Sequence, residues 1–272
     1  MKLWKQNLFI IMTSLLTAYF ALYFCQRSLL YFPSTETPNR SSYHALSMEK
    51  VSFKTKDGIT LSAWYKKAAP NKATIIYFHG NAGHWGHRFS YVKNYLDQGY
   101  GVLIFSYRGY GGNLGSPTEQ GLYLDGQAAN DYLASKNIRC LVYYGESLGS
   151  GVAIELATQN SVNGIILQSP YTSIKALANH HYPWSPLEPW DKFNSLSKIA
   201  QINKSNLLIL HGKQDKLIPY RHSIELYKKA NGDKQLKLYP NTNHHNLKSI
   251  QIINDVSTYL SKTSQQCFLK TK

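Results

Sequence analysis

From residue 48 onward, the chain alternates between short apolar runs and segments with helical periodicity. Nearly continuous apolar runs of four or five residues are typical of strands buried on both faces of a parallel sheet. Such runs cover residues 74–78, 102–105, 141–144, 164–168 and 207–210, and a last strand is predicted at 236–239. Helices are predicted between and after these strands, at 88–97, 122–135, 149–158, 223–230 and 250–260.

The segment before this alternation has the pattern of a β-hairpin, in which residues 50–55 and 59–65 flank a Lys-Asp-Gly turn. A hairpin followed by strand–helix units predicts an α/β fold with a mostly parallel, doubly wound sheet of about eight strands. The 272 residues show no internal repeat and no linker, so we expect an N-terminal segment, residues 1–30, and one domain, residues 31–272. A composition of 43% hydrophobic and 17% charged residues excludes global disorder.

The N-terminal segment contains an uncharged run of 18 residues, 8–25. As a helix, this run would span roughly 27 Å, close to the ~30 Å hydrocarbon core of a bilayer. We expect an uncleaved signal-anchor, because the end of the run offers no small-residue cleavage site; a cleaved signal peptide and a buried core helix are the alternatives. Lys2 and Lys5 before the run, against Arg27 after it, predict a single-pass membrane protein whose domain lies on the non-cytoplasmic side, periplasmic or extracytoplasmic.

Residues 171–205 interrupt the alternation of strands and helices. Prolines at 183, 186 and 189 oppose regular helix, so this insertion is expected to have no obvious secondary structure. Long insertions of this kind in compact domains are often lids or binding loops. We therefore expect a short cap that faces the substrate; the alternative is a surface excursion packed by its own aromatic side chains.

The charge of the chain is strongly basic, with 30 Lys and Arg against 15 Asp and Glu and a formal net charge of +15. The basic residues are dispersed, and the sequence has no Arg-rich helix, zinc finger or RNA-binding aromatic signature, so nucleic acid is not an expected partner. Two explanations of the charge remain: the basic surface of the domain lies near anionic membrane headgroups, or it is simply exposed to solvent. Three cysteines exclude a disulfide framework, and with no CxxC pair we expect neither a metal nor another cofactor.

The strongest chemical signal is Gly-Glu-Ser-Leu-Gly at residues 145–149, which directly follows one predicted strand and precedes a predicted helix. A sharp strand–turn–helix presents a serine hydroxyl at the carboxyl end of the strand, and the glycines allow the neighbouring backbone to approach closely. We therefore expect Ser147 to be a catalytic nucleophile. The alternative is a glycine-rich turn that contains an incidental serine.

A serine nucleophile needs a base to accept its proton and a carboxylate to orient that base. Asp215 lies just after the strand predicted at 207–210, whereas the preceding strand is followed by Ser169 and Pro170. The base should follow the last strand, where His244 and His245 are adjacent. We expect His244 to be the base and His245 to be a neighbouring structural or pocket residue, with the reverse assignment left open.

An oxyanion hole completes such a site, with one donor from the residue after the nucleophile and one from the loop after an early strand. The backbone N–H of Leu148 is the first expected donor. Residues 79–83 read His-Gly-Asn-Ala-Gly after the strand at 74–78, and there Asn81 is preferred to Ala82 as the second donor. His79 is expected to brace this loop.

Taken together, these motifs resemble the α/β-hydrolase superfamily. They are His-Gly-Asn-Ala-Gly, Ser-Tyr-Arg-Gly-Tyr-Gly-Gly at 106–112, Gly-Glu-Ser-Leu-Gly-Ser, Ser-Pro-Tyr-Thr-Ser-Ile at 169–174, Leu-His-Gly-Lys-Gln-Asp and the closing His. The likeness runs from about residue 8 to 260. It is nearest to membrane-anchored serine hydrolases with a short cap, kin to the eukaryotic α/β-hydrolase domain-containing lipases and depalmitoylases. The sequence departs from the family at Ser106, where an Asp is usual, and so is expected to lack a loop-bracing carboxylate.

The residues and the resemblance together predict a serine hydrolase that cleaves carboxylic ester or thioester bonds of small acylated or lipid-like substrates through an acyl-serine intermediate. A serine peptidase of the aminopeptidase type is the enzymatic alternative. That activity would need acidic groups in the cap to bind an α-amine, and Glu188 and Asp191 are the only acids there. A non-catalytic binding protein with the same fold is the alternative from another class.

Overall fold

The structure is a computed structural model that describes residues 2–202, 205–244, 246 and 249–269. Ten strands occur in this part of the chain: β1 (Phe32–Pro33), β2 (Glu49–Lys54), β3 (Thr60–Lys66), β4 (Thr74–Phe78), β5 (Ala82–Gly83), β6 (Gly101–Phe105), β7 (Leu141–Glu146), β8 (Gly164–Gln168), β9 (Asn206–Gly212) and β10 (Lys234–Tyr239). The same residues contain eight α-helices: α1 (Lys2–Leu30), α2 (Trp85–Asp97), α3 (Glu119–Ala134), α4 (Leu148–Gln159), α5 (Ile174–His181), α6 (Ser195–Lys198), α7 (Arg221–Lys229) and α8 (Ile250–Leu269).

Eight strands form one mixed sheet in the order β10-β9-β8-β7-β4-β6-β3-β2. The six strands from β10 to β6 pair in parallel, whereas β2 and β3 form the antiparallel hairpin and β3 is antiparallel to β6. Every residue of β4, β6 and β8 is buried, which explains why these strands are continuous apolar runs in the sequence. The predicted eight-stranded, mostly parallel sheet is confirmed.

Helices cover both faces of this sheet and enclose two apolar clusters. Alternate residues of β4 enter different clusters: Ile76 and Phe78 pack with side chains of α3, α4 and α7, whereas Ile75 and Tyr77 pack with side chains of α2 and α8. This alternation follows from the two-residue period of a strand. The doubly wound arrangement predicted from the sequence is therefore present.

The loops that carry the candidate catalytic residues all leave the same edge of the sheet. They follow β4, β7, β9 and β10, which run parallel to one another through the neighbouring pairs β4–β7, β7–β8, β8–β9 and β9–β10. The carboxyl ends of parallel strands meet at one edge, and ligands of open α/β sheets bind there. Residues far apart in the sequence are brought together in this way.

Helix α1 is long and apolar enough to cross a membrane over Leu3–Leu30: an 18-residue stretch of this span has a mean hydropathy of 2.0, and no residue of that stretch is buried. Its last turn leads directly into β1, which pairs in parallel with β5 so that Phe32 lies opposite Ala82 and Pro33 opposite Gly83. Strand β5 belongs to the loop after β4. The N-terminal helix is thus joined to a loop of the candidate site within a few residues.

The cap contains more regular structure than the sequence analysis expected. Helix α5 occupies residues immediately before the prolines, and the short helix α6 follows them. The expectation of no regular helix was wrong because Pro183 lies beyond the C-terminus of α5, where it does not interrupt the helix. The Ser173 hydroxyl caps α5 by accepting a hydrogen bond from the backbone N–H of Ala176 at 3.0 Å.

One disulfide joins Cys140, just before β7, to Cys267 in α8. The two cysteines are separated by 127 positions, and their Cα atoms lie 5.7 Å apart. Cys25 in α1 is exposed and forms no disulfide with the other two cysteines. Three cysteines exclude a disulfide framework but allow this single bridge, which ties the C-terminal helix to the central sheet.

Candidate active site

Ser147 lies in a sharp turn between β7 and α4. Its φ of 50° and ψ of −117° are rare for a residue with a side chain, and such strain is characteristic of functional sites. The backbone N–H of Ser147 donates to the Gln168 carbonyl at 2.9 Å, and its carbonyl accepts from the Ser150 hydroxyl at 2.6 Å. These bonds engage both the N–H and the carbonyl of Ser147 and so hold its backbone in the strained conformation.

The glycines beside Ser147 allow the chain to pack where a side chain would not fit. A Cβ at Gly149 would lie 2.1 Å from the Phe78 carbonyl oxygen, and one at Gly145 would lie 2.6 Å from the Ser150 Cα. The glycines therefore let the first turn of α4 pack against the end of β4. This is the close approach predicted from the sequence pattern.

Asp215 is buried beyond the end of β9, and both of its carboxylate oxygens accept hydrogen bonds. Oδ1 accepts from the backbone N–H groups of Leu217 at 2.9 Å and Ile218 at 2.8 Å, and Oδ2 accepts from the Ser169 hydroxyl at 3.1 Å. Burial favours the neutral acid, but hydrogen bonds from His211 and His244 and the charge of His244 lower the pKa of Asp215 below its ordinary value. The group is therefore a carboxylate at neutral pH.

His244 contacts this carboxylate directly. Its Nδ1 lies 2.6 Å from Asp215 Oδ2, a short distance typical of a charge-assisted hydrogen bond. Because the carboxylate accepts a hydrogen bond from the protonated Nδ1, Nε2 on the other edge of the ring is the position that can accept a proton. His245, the alternative base, lies outside the described residues.

His211 supports the same carboxylate from β9. Its Nε2 lies 3.2 Å from Asp215 Oδ2 and 2.8 Å from the Ile218 carbonyl oxygen, and its Nδ1 lies 2.6 Å from the Ser223 hydroxyl. The carbonyl can only accept, so Nε2 carries the proton and Nδ1 accepts from Ser223. No role of His211 was predicted from the sequence, although its position four residues before Asp215 could have suggested one.

The Asp215→Asn substitution is expected to lower kcat of ester hydrolysis by about 10⁴-fold with little change in thermal stability. The carbonyl of the new amide could still accept from Leu217 and Ile218, but its NH2 group would donate to His244 Nδ1. That bond would force the ring proton onto Nε2, so that His244 could no longer accept the proton of Ser147. Steady-state kinetics and thermal denaturation of the full chain in detergent test this; a loss smaller than tenfold would contradict the orienting role.

The two expected oxyanion donors lie on segments that meet at Ser147, one at the start of α4 and one on the loop after β4. Leu148 is the first residue of α4, so its N–H lies at the helix N-terminus, where it has no intrahelical partner. The loop with Asn81 is adjacent, because a Cβ at Gly80 would lie 3.5 Å from the Ser147 Cβ. Asn81 accepts hydrogen bonds at its carbonyl from the Phe32 N–H and the Tyr110 hydroxyl, and its side chain donates to the Leu30 carbonyl at 2.9 Å.

The loop before Asn81 is held by His79 and by a charged pair. His79 is fully buried, and its Nδ1 lies 2.6 Å from the Gly80 carbonyl oxygen, in agreement with the bracing role expected for it. Arg88 in α2 donates from Nε to Glu146 Oε2 at 2.9 Å, and the same oxygen accepts from the Tyr77 hydroxyl. This pair links α2 to the residue before Ser147. It could not be predicted from the sequence, because a single charge carries no signal of its partner.

The buried position of His79 makes stability depend on pH. Burial, followed by the charge of Arg88, lowers the pKa of His79 from 6.5 to about 3. Below pH 6.5 the unfolded chain binds a proton at this position that the folded chain does not bind. The free energy of unfolding therefore falls as the pH falls from 6.5 towards 3, by up to about 1.4 kcal/mol per pH unit from this residue.

We expect His79→Gln to have a shallower loss of stability between about pH 6.5 and pH 4 than the wild type. His44→Gln, at an exposed position, is the matched control and should follow the wild-type profile. Denaturant unfolding of the full chain in detergent at several pH values measures the difference. Parallel profiles for His79→Gln and wild type would show that His79 is not held neutral by the fold.

Ser106 retains a bracing contact although the family carboxylate is absent. Its hydroxyl accepts a hydrogen bond from the backbone N–H of Trp85 at 2.9 Å, and its carbonyl accepts from the Asn113 side chain at 2.8 Å. The hydroxyl thus fixes the first residue of α2.

Within the described residues, no group of three or more His, Cys, Asp or Glu side chains is arranged to hold a metal ion.

Comparisons with known proteins agree with this architecture. The sequence model of the family described as serine aminopeptidase, S33, matches residues 69–193 and 188–249. An uncharacterized protein of Mycobacterium tuberculosis is 35% identical over 228 residues, which cover 81% of this chain and 80% of that protein. Protein bem46 of Schizosaccharomyces pombe is 32% identical over 227 residues, or 76% of this chain and 75% of bem46.

A solved structure shows the same fold at lower sequence identity. An esterase of Pyrococcus furiosus has a TM-score of 0.71 and 20% identity to this chain, covering 86% of the chain and 97% of the esterase. The strand order, the sharp turn at Ser147 and the family match lead to the same assignment. The chain is a hydrolase of the α/β-hydrolase superfamily and belongs to its serine aminopeptidase (S33) family.

Proposed function

We propose that the protein is a serine hydrolase that cleaves carboxylic ester or thioester bonds of acylated, lipid-like molecules. The observation that carries this proposal is the 2.6 Å contact between His244 Nδ1 and the Asp215 carboxylate. This pair lies at the same edge of the sheet as Ser147, whose strained backbone is typical of a nucleophile in this position. A base oriented by a buried carboxylate is the arrangement that activates a serine hydroxyl.

In the proposed reaction, Ser147 Oγ attacks the acyl carbonyl while its proton passes to His244 Nε2. Asp215 keeps the His244 ring in the reactive tautomer and stabilises the imidazolium that forms. The backbone N–H groups of Leu148 and Asn81 donate to the oxyanion of the tetrahedral intermediate. His244 then gives its proton to the departing alcohol or thiol, and water activated by the same ring releases the acid from Ser147.

The acids of the cap favour an acyl ester over a peptide with a free α-amine. The Asp191 carboxylate accepts from the Arg27 guanidinium at 2.9 Å, from the Tyr31 hydroxyl at 3.0 Å and from the Glu119 N–H at 3.0 Å. The Glu188 carboxylate pairs with the Lys175 ammonium. Both acids are therefore already engaged, whereas an aminopeptidase would need an available carboxylate for the amine of its substrate.

We further propose that α1 anchors the protein in a membrane with the catalytic domain on the non-cytoplasmic side. The length and mean hydropathy of α1 support the anchor. The bridge between Cys140 and Cys267 supports the side, because structural disulfides persist in oxidising compartments and are rare in the cytosol. The net charge of +15 suits a domain held close to anionic headgroups.

Parallel assays of full-length protein in detergent test the substrate class. The panel contains p-nitrophenyl esters of increasing chain length, an acyl thioester and aminoacyl p-nitroanilides. We expect turnover of the ester and the thioester and no release of p-nitroaniline. Turnover of the aminoacyl anilides without turnover of any ester would contradict the proposal and favour the aminopeptidase. The Ser147→Ala variant, which lacks the nucleophile, separates enzymatic hydrolysis from background in each assay.

A further inference from the structure

A groove of about 270 Å³ lies between the last turn of α1 and the cap. Its walls are largely apolar, with Leu29 and Leu30 on one side and Ile174, Leu177, Ala178 and Leu187 on the other. The cap residues at 174, 177 and 178 lie on one face of α5, at the spacing of neighbours on a helix surface. The groove therefore combines a wall from the N-terminal helix with a wall from the cap.

Several contacts hold the two walls together. Arg27 donates to both oxygens of Asp191, at 2.9 and 3.3 Å, and its guanidinium lies 5.2 Å from the centre of the Trp190 ring. The Gln26 side-chain oxygen accepts the backbone N–H of Trp190 at 2.7 Å, and the Tyr23 ring meets the Trp190 ring edge-to-face at 5.2 Å. Because Asp191 is buried, loss of Arg27 would leave a carboxylate without its cation. The last turn of α1 is thus a structural part of the cap.

The groove walls also touch the loops of the candidate active site. The Leu30 carbonyl accepts the Asn81 side chain at 2.9 Å, so the wall from α1 is joined to the proposed oxyanion loop. In the opposite wall, the Nε2 atom of His181 lies 2.8 Å from the carbonyl oxygen of Leu217. The backbone N–H of Leu217 in turn donates a hydrogen bond to Asp215. Each wall of the groove is therefore joined by a hydrogen bond to a loop of the candidate active site.

We propose that this groove binds the acyl chain of a substrate that enters from the bilayer along α1. The inference rests on the proposed function and deepens it by assigning the N-terminal helix to the substrate site. An aliphatic chain suits the occupant, because the lining is largely apolar and Leu29, which lines the groove, is an exposed apolar side chain of α1. The anchor then positions the substrate as well as the enzyme. In the groove, a long acyl chain makes contacts that a short acyl chain does not reach.

Filling the groove tests the proposal by a change in chain-length preference. Ala178→Trp in the full chain is expected to lower the ratio of kcat/KM for p-nitrophenyl laurate to kcat/KM for p-nitrophenyl butyrate by about tenfold or more. Ala176→Trp is the matched control: it is two residues away on the same helix, about 200° around the axis, and does not line the groove. An unchanged ratio in Ala178→Trp, with both esters hydrolysed by the wild type, would overturn the groove assignment and leave the proposed function intact.

A second measurement does not depend on turnover. Full-length Ser147→Ala in phospholipid vesicles is irradiated with a diazirine-bearing palmitic acid, and the labelled peptides are identified by mass spectrometry. We expect adducts on α5 and on the last turn of α1, and their loss when Ala178→Trp is added. Adducts confined to the part of α1 before Cys25 would overturn the proposal. If the wild type hydrolysed neither ester, the proposed function would fail, and labelling alone would decide whether the groove binds acyl chains.

Discussion

Replacement of Ser147 with alanine is expected to reduce kcat of ester hydrolysis by about 10⁶-fold. The substitution removes only the hydroxyl, so that no atom remains to form the acyl-enzyme. The backbone of Ser147 makes its hydrogen bonds to Gln168 and Ser150 through N–H and carbonyl groups, which alanine keeps. Thermal stability should therefore stay close to that of the wild type. Initial rates with a p-nitrophenyl ester, measured for the full chain in detergent, provide the comparison.

Ser135→Ala is the matched control for this variant. Ser135 is an exposed serine at the C-terminal end of α3, away from the edge of the sheet where Ser147 lies. It should retain wild-type turnover. A Ser147→Ala variant that kept more than a hundredth of wild-type activity would show that another group attacks the substrate.

Removal of the imidazole at position 244 is expected to have an effect of the same size, about 10⁶-fold in kcat. In His244→Ala, the hydroxyl of Ser147 loses the base that accepts its proton, and Asp215 loses the group that it orients. The contact of His244 Nδ1 with Asp215 at 2.6 Å is the reason for choosing this residue over its neighbour. Rates are measured with the same ester and at the same pH as for the other variants.

His245→Ala tests the choice between the two adjacent histidines. We expect it to keep most of the wild-type kcat, because neighbouring side chains point in different directions and only one of them can serve Ser147. Equal losses in His244→Ala and His245→Ala would leave the assignment unsupported. A loss in His245→Ala alone would reverse the assignment.

The sheet and the turns that carry the candidate site were predictable because their signals are local. Buried parallel strands are continuous apolar runs, and the predicted limits of β4 and β8 agree with the structure to the residue. Ser147 could be chosen because it follows directly on such a strand, and Asp215 because it lies a few residues beyond the end of another. The boundary near residue 30 between the N-terminal segment and the domain stays a prediction, since α1 continues almost without a break into β1.

Contacts between distant parts of the chain were not predictable from one sequence. Arg27 meets Asp191 across 164 positions, and Arg88 meets Glu146 across 58. Each of these charges looks like an ordinary surface residue in the sequence, and only the fold brings the partners together. The same reason applies to the disulfide and to the groove, whose walls come from α1 and from the cap.

The most direct test of the proposed chemistry is the covalent reaction of the full-length protein with a fluorophosphonate probe. This probe phosphonylates serines that are activated by a neighbouring base. Mass spectrometry of the digested protein should show one adduct, on the peptide that contains Ser147, and no adduct in Ser147→Ala. Undiminished labelling of Ser147→Ala, or an adduct at a different residue of the wild type, would contradict the account.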